Sequence, residues 1–170
     1  MYRLDRDNVA VADPNDSTRS ILVDAQRTHG FELELNGNVT RAWSVAGGYA
    51  YQNGEITRSI SAAAQAGAVL AQLPRHSVSF WNKYEITARV AAGLGVLFRG
   101  ESFTSTDNLV TLPNWTRADA AVYYRLTTKL RAQINVENLL DTRYYVSAHS
   151  NTNITPGSPR AVRVALTARF

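Results

Sequence analysis

Apolar and polar residues alternate with a period of two along most of this chain, most plainly from Arg160 to Phe170. There Val162, Val164, Leu166, Ala168 and Phe170 fall on one face, and Arg163, Ala165, Thr167 and Arg169 on the other. Successive side chains of a strand point to opposite sides, so this period predicts strands with one apolar and one polar face. Leu130, Ala132, Ile134 and Val136 repeat the pattern against Arg131, Gln133, Asn135 and Glu137. Ala118, Ala120, Val122 and Tyr124 do so against Arg117, Asp119, Ala121 and Tyr123. Val90 to Phe98, Trp43 to Tyr51 and Phe31 to Val39 follow the same rule. Val78, Phe80 and Tyr84 begin to, but Trp81 and Asn82 blur that segment. Met1 to Val9 is a weaker, charged first strand. About eight strands are expected, most near the ~9–11 residues that cross a bilayer when tilted.

The connections between these segments alternate in length. Thr40-Arg41-Ala42, Glu85 to Ala88 and Thr127-Thr128-Lys129 are short. Ala10 to Thr28, Ile56 to Arg75, Ser102 to Asn114 and Val146 to Pro159 are long. Outer-membrane barrels have tight periplasmic turns and long external loops, and with Phe170 on the periplasmic side every long connection falls outside. Aromatics sit at two levels. Trp43, Tyr84, Tyr124 and Phe170 lie near the short turns, and Tyr51, Phe98, Phe103, Trp115, Tyr144 and Tyr145 near the long ones, as in the girdles at the two membrane interfaces. The expected fold is therefore all-β, an antiparallel up-and-down meander of transmembrane strands. Two rivals share the alternation: a self-contained eight-stranded barrel with a structural or adhesive role, in which the charged first strand pairs with Arg160 to Phe170, and a soluble sandwich or lipid-binding barrel.

Composition narrows this further. In 170 residues with 45% hydrophobic content, no run approaches the ~18 consecutive apolar residues of a membrane helix. The absence of cysteine removes disulfides and thiolate metal sites. The net charge of +4 comes from cations scattered singly, which argues against a nucleic-acid surface. Met1 to Asp7 lacks the apolar core of a secretory signal, so the sequence is expected to be a processed or truncated piece.

Three elements near the end are more specific. Asn135-Val136-Glu137-Asn138-Leu139-Leu140-Asp141-Thr142-Arg143-Tyr144-Tyr145 resembles the N-x-x-N-L-F-D-x-x-Y-Y element of TonB-dependent receptors, with Leu140 where Phe is commoner. Asn153-Ile154-Thr155-Pro156-Gly157-Ser158-Pro159-Arg160 is similar to that family's lead-in to its final strand. Phe170 resembles the terminal aromatic of outer-membrane barrels. Tyr2 to Val9, Gly30 to Leu35, Trp43 to Tyr51 and Leu73 to Ser77 resemble strands of siderophore-receptor barrels, so the likeness covers essentially residues 1–170. The resemblance implies the C-terminal portion of a 22-stranded outer-membrane barrel, with the plug domain and TonB-contacting segment absent. It further implies a ferric siderophore as transported ligand, with no other cofactor. The implied partners are outer-membrane lipid and lipopolysaccharide, the barrel-assembly machinery reading Phe170, and TonB and the plug in the full-length receptor.

Catalytic chemistry is not indicated. His29, His76 and His149 are isolated, without metal-ligand spacing, and read as ordinary polar residues. No G-x-S-x-G is present, and no Gly pair precedes a helix. What remains is ligand capture, for which arginines supply charge and hydrogen bonds and aromatics flat contact area. The expected outer-rim candidates are Arg58, Arg75, Arg99 and Arg143, with Phe103, Trp115 and Tyr144. Rim arginines also suit anionic lipopolysaccharide, so each has two possible roles.

Overall fold

The computed structural model describes residues 1–16 and 18–170. Their long strands are β1 (Tyr2–Ala12), β2 (Ser20–Asn38), β3 (Trp43–Arg58), β4 (His76–Glu85), β5 (Val90–Arg99), β8 (Trp115–Arg125), β9 (Leu130–Glu137) and β12 (Ala161–Ala168). They form one sheet in the order β1-β2-β3-β4-β5-β8-β9-β12, a meander of antiparallel neighbours. Two small hairpins sit in long connections: β6 (Ser102–Phe103) with β7 (Thr111–Leu112), and β10 (Tyr145–Ser150) with β11 (Asn153–Pro156). Among the described residues no second sheet packs against the large one, and the chain's accessible surface of 11070 Å² exceeds the roughly 8300 Å² of a globular chain of this mass. A soluble sandwich is not what the chain builds.

The closed eight-stranded alternative is not adopted either. Among the described residues β1 pairs only with β2 and β12 only with β9, which leaves the sheet open at both edges. β1 covers only the upper part of β2, from Tyr2 opposite Gly30 to Ala12 opposite Ser20.

The alternation read from the sequence becomes two faces. Val162, Val164 and Leu166 are 64%, 74% and 66% exposed, as are Leu33, Leu94, Val122 and Ile134 on the same side. Such an apolar stripe on a single-layer sheet belongs against hydrocarbon. Register ties it into rows that end in aromatics. Trp43 stands opposite Tyr84 near the short turns, and Phe31, Tyr51 and His76 are aligned near the long loops. Phe31 lies 5.7 Å from Tyr49 and from Tyr51, and Tyr49 Oη is 2.8 Å from His76 Nδ1. The nine residues from Trp43 to Tyr51 span about 26 Å of strand, or about 20 Å of bilayer at a tilt near 40°.

The blurred segment also resolves. Asn82 lies on the lipid face, where its Oδ1 accepts from Trp43 Nε1 at 3.2 Å. Trp81 lies on the concave face against Gly93 and Gly95, where a Cβ would sit 2.5 and 2.2 Å from the indole. Both glycines are there for that close approach.

The three short turns share one construction. Thr40, Thr87 and Thr127 each accept, through Oγ1, the backbone N–H groups two and three residues on. Each turn's last carbonyl then accepts a backbone N–H from the point where the chain next returns to that end of the sheet: Ala42 from Glu85, Arg89 from Arg125 and Lys129 from Arg169.

The long connections differ from the expected loops. β1 and β2 continue through most of Ala10 to Thr28 (Ser17 lies outside the described residues), and β3 runs on to Arg58. The reason is burial above the membrane. Val23, Ile56 and Ala64 form a small core with Val9, Val11, Ile21 and Leu70 against them. A bulge beside Thr57 moves the pairing from Gln26–Ile56 to Ala25–Arg58 and re-phases the strand. On the partner strand β2, Gln26 and Val23 are both buried, three positions apart, and the period-two signal disappears.

Candidate functional site

At the outer end, three long connections lock into one body. Asn108, in a left-handed turn (φ 55°), accepts from Val69 N at 2.7 Å and donates to Val69 O at 2.9 Å. It thereby ties the β5–β8 connection to the β3–β4 connection. Gln72, also left-handed, donates its backbone N–H to Phe103 O and accepts on its side chain from Ala148 N. Thr104, Asn151 and Asp107 form a side-chain chain to the β9–β12 connection. Arg99, at the top of β5, donates from Nη2 to Gln72 O at 3.1 Å and from Nη1 to Val146 O at 3.3 Å. Its guanidinium thus reaches two of the three connections from a rigid strand.

Beside Arg99 stands Trp115, its register partner across β5 and β8. The Trp115 ring lies 4.5 Å from Tyr144 at 39°. Tyr144 is only 8% exposed, and its hydroxyl accepts from Arg117 Nη1 at 3.1 Å while Arg117 Nη2 pairs with Asp119 at 2.8 Å. Asp119 Oδ1 also accepts from Asn138 N. Asn138 is 1% exposed; its side chain donates to Thr142 O and Ser158 O and accepts from Thr142 N. Asp141 accepts from Arg160 N, and Gly157 lies flat on Tyr144, where any Cβ would collide with the ring. The Asn135–Tyr145 and Pro156–Arg160 segments are therefore two halves of one polar knot that supports the Trp115–Tyr144 pair.

Of the expected rim residues, Arg99, Trp115 and Tyr144 come together, and Phe103 joins them through Gln72. Arg58 stands apart at the end of β3, 3.7 Å from Asp7 and 3.9 Å from Asp24. Arg75 and Arg143 are exposed and make no ion pair among the described residues. Above the bilayer on β1, hydrogen bonds from Arg27 and then Arg3 hold Asp5 ionised below the usual carboxylate range. The sequence reading did not single out Gln72 or Asn108, whose roles depend on long-range backbone partners. It saw Asn138 and Asp141 only as a motif.

Below the rim, the concave face forms a trough of about 1180 Å³ reached by Glu34, Gln52, Ser79, Trp81, Leu97 and Arg99. Together these features offer a cation fixed at the rim, a tilted aromatic pair and room for a bulky anionic or polar ligand.

An open meander with a lipid-facing stripe, two aromatic levels and long structured loops on one side defines the wall of an outer-membrane β-barrel. The sequence profile of the TonB dependent receptor-like, beta-barrel family matches residues 1–139, and the chain belongs to that family. It is 31% identical over 175 residues to the catecholate siderophore receptor Fiu of Escherichia coli K12, covering 100% of this chain and 23% of that one. It is 32% identical over 174 residues to the metal-pseudopaline receptor CntO of Pseudomonas aeruginosa UCBPP-PA14, covering 99% and 24%. The closed form of E. coli Fiu superposes with a TM-score of 0.80 at 30% identity, over 99% of this chain and 24% of that one. The siderophore receptor PiuA of Acinetobacter baumannii superposes with a TM-score of 0.82 at 24% identity, over 99% and 25%, a likeness of fold. The chain thus spans about a quarter of the length of these relatives. Its place is the outer membrane of a Gram-negative cell.

Proposed function

We propose that these residues are the C-terminal segment of the barrel of a TonB-dependent receptor that takes up ferric siderophores. The supporting observation is the end-to-end match of the chain to siderophore and metallophore receptors several times its length. In this reading Arg99 and Trp115 line the ligand's approach, and the buried Tyr144 holds Trp115 in place from behind. Phe103, Arg58, Arg75 and Arg143 are further contacts around them, and the trough is the way inward. TonB and the plug act in the full-length receptor, lipopolysaccharide surrounds the outer rim, and Phe170 serves the barrel-assembly machinery. Arginine suits an anionic ferric catecholate because its fixed charge and donor fork match several oxygens at once.

The test is a chimera in which this chain replaces the matching segment of E. coli Fiu, in a strain lacking its own catecholate receptors. Uptake of radioactive iron from ferric catecholates is expected, and Arg99→Gln should lower it several-fold with assembly unchanged. A chimera that assembles but transports no ferric catecholate, ferric hydroxamate or pseudopaline-type chelate would sink the proposal.

A further inference from the structure

All four long connections meet around a second cavity, smaller than the trough and next to it. Its walls come from the end of β1 and Asp13, from Gln26 on β2, from the β3–β4 connection at Leu70, from Thr104 to Thr106, and from His149 on β10. The volume of about 240 Å³ equals about eight waters' share of the liquid. That is room for one sugar-sized ring and not for a whole ferric chelate. Gln72 borders both cavities. Its backbone N–H, carbonyl and side-chain oxygen are held by Phe103, Arg99 and Ala148, so it stands as a fixed wall between them.

The smaller cavity is lined with polar groups that the fold leaves unused. Gln26 is buried, and its carboxamide has no hydrogen-bond partner among the described residues. The same is true of Ser105 Oγ, and Thr106 Oγ1 is buried without a partner. Buried polar groups are nearly always paired, and leaving one unmet costs stability. Three in one wall form a surplus of donors and acceptors. Asp13 adds a carboxylate of which only Oδ1 is taken, by Asn15 N. Among the described residues no lysine or arginine lines this cavity, while Val11 and Leu70 give it an apolar part. The walls are fixed before any ligand arrives. Asn108 clasps Val69, and Thr104 bonds to Val110 O and Asn151. A preformed cavity of this kind loses little freedom on binding.

We propose that this cavity binds a neutral sugar ring, a use separate from the capture of anions at Arg99. The hydroxyls of a pyranose both donate and accept, and an amide, two hydroxyls and a carboxylate can meet them. Its C–H face suits Val11 and Leu70. An anion of the same size would meet a carboxylate and no counter-charge. Gln26 pairs with Ile56, in phase with Thr28–Gly54 and Gly30–Gln52, so the cavity lies on the concave side of the wall, away from lipid.

The test uses the Fiu chimera in an amine-oxide detergent, which carries no sugar, and saturation-transfer difference NMR with methyl β-D-glucopyranoside. Saturable binding is expected, and Gln26→Leu should weaken it about tenfold by removing the amide. Lys129→Gln, at the opposite end of the sheet, should leave it unchanged. Glucuronate, the anionic counterpart, should bind about tenfold more weakly than the glucoside. Asp13→Asn keeps the bond to Asn15 and should narrow that gap to less than about threefold, which a merely structural role would not do. A lipid-free core oligosaccharide of lipopolysaccharide distinguishes the sources: competition with the glucoside assigns the cell's own surface sugars, and its absence assigns a sugar arriving from solution. No saturable binding, equal binding by Gln26→Leu, or glucuronate bound as tightly as the glucoside overturns the proposal. Should Gln26→Leu not assemble, the Asp13→Asn comparison decides alone, and an unchanged gap overturns it. The titration contains no iron and no siderophore, so its failure is separable from failure of the uptake reading.

Discussion

Asn138 shows how much one side chain carries in this wall. It is buried, sits at a φ of 52°, and its amide satisfies Thr142 N, Thr142 O and Ser158 O at once. Asparagine tolerates the left-handed conformation better than most residues, and its amide both donates and accepts. Asn138→Ala removes all three bonds and leaves a buried N–H unsatisfied, at about 1–3 kcal/mol. Asn138→Asp keeps the acceptor and loses the donors. Urea unfolding of the Fiu chimera in micelles is expected to rank wild type above Asp above Ala. An alanine variant as stable as wild type would show that the knot is incidental. In sequence this residue was legible as part of a family-like motif, but its purpose was not. Its partners Asp119 and Ser158 lie 19 and 20 positions away, and no local pattern announces them.

At the level of elements, the strands were legible because a single sheet with lipid on one side imposes a strict period of two. The short connections were visible for the same reason, as brief interruptions of that period. Their shared chemistry lies in an apolar-Thr-x-x-apolar pattern: Val39 to Trp43, Ile86 to Val90 and Leu126 to Leu130. Each threonine hydroxyl takes up N–H groups that the turn would otherwise leave to water. Thr87→Val, nearly isosteric, is expected to cost about 1 kcal/mol, and Thr87→Ser less than half of that. The same replacements at Thr40 and Thr127 should add nearly independently, since the turns share no side-chain partner. Denaturant midpoints of the single and triple valine variants check this, and a triple variant within error of wild type would remove the turns as a source of stability. What failed to show in sequence were the extensions of β1, β2 and β3. Val23 and Gln26 are both buried although three positions apart, so residues 20–28 alternate in neither phase. The hairpins β6–β7 and β10–β11 were hidden because each rests on hydrogen bonds between connections.

For the whole molecule the decisive property is the open sheet. β12 offers one edge and β1 the other, and the lower part of β2, beyond Gly30, has no partner on its β1 side among the described residues. Unpaired edges beside an apolar face are strong templates for further strands, and in hydrocarbon each unmet backbone group costs several kcal/mol. Closing eight strands into a small barrel would require β1 to meet β12 within about 4.8 Å. The residues above the aromatic row on β1, with Arg3 and Asp5 paired to each other and to Arg27, would then lie beside Val162 to Leu166 of the lipid stripe. That juxtaposition buries ion pairs against hydrocarbon, so the small barrel is disfavoured by the charge of its own first strand. Cysteines placed at Leu4 and Ala165, both on the concave face of a chain that otherwise has none, distinguish the two outcomes. In detergent micelles the isolated chain is expected to form no intramolecular disulfide and to run as an oligomer. In the Fiu chimera the same pair should stay reduced because other strands separate the two edges. A monomeric, oxidised Leu4→Cys/Ala165→Cys chain would mean that these residues close on themselves, and the larger wall would no longer be required.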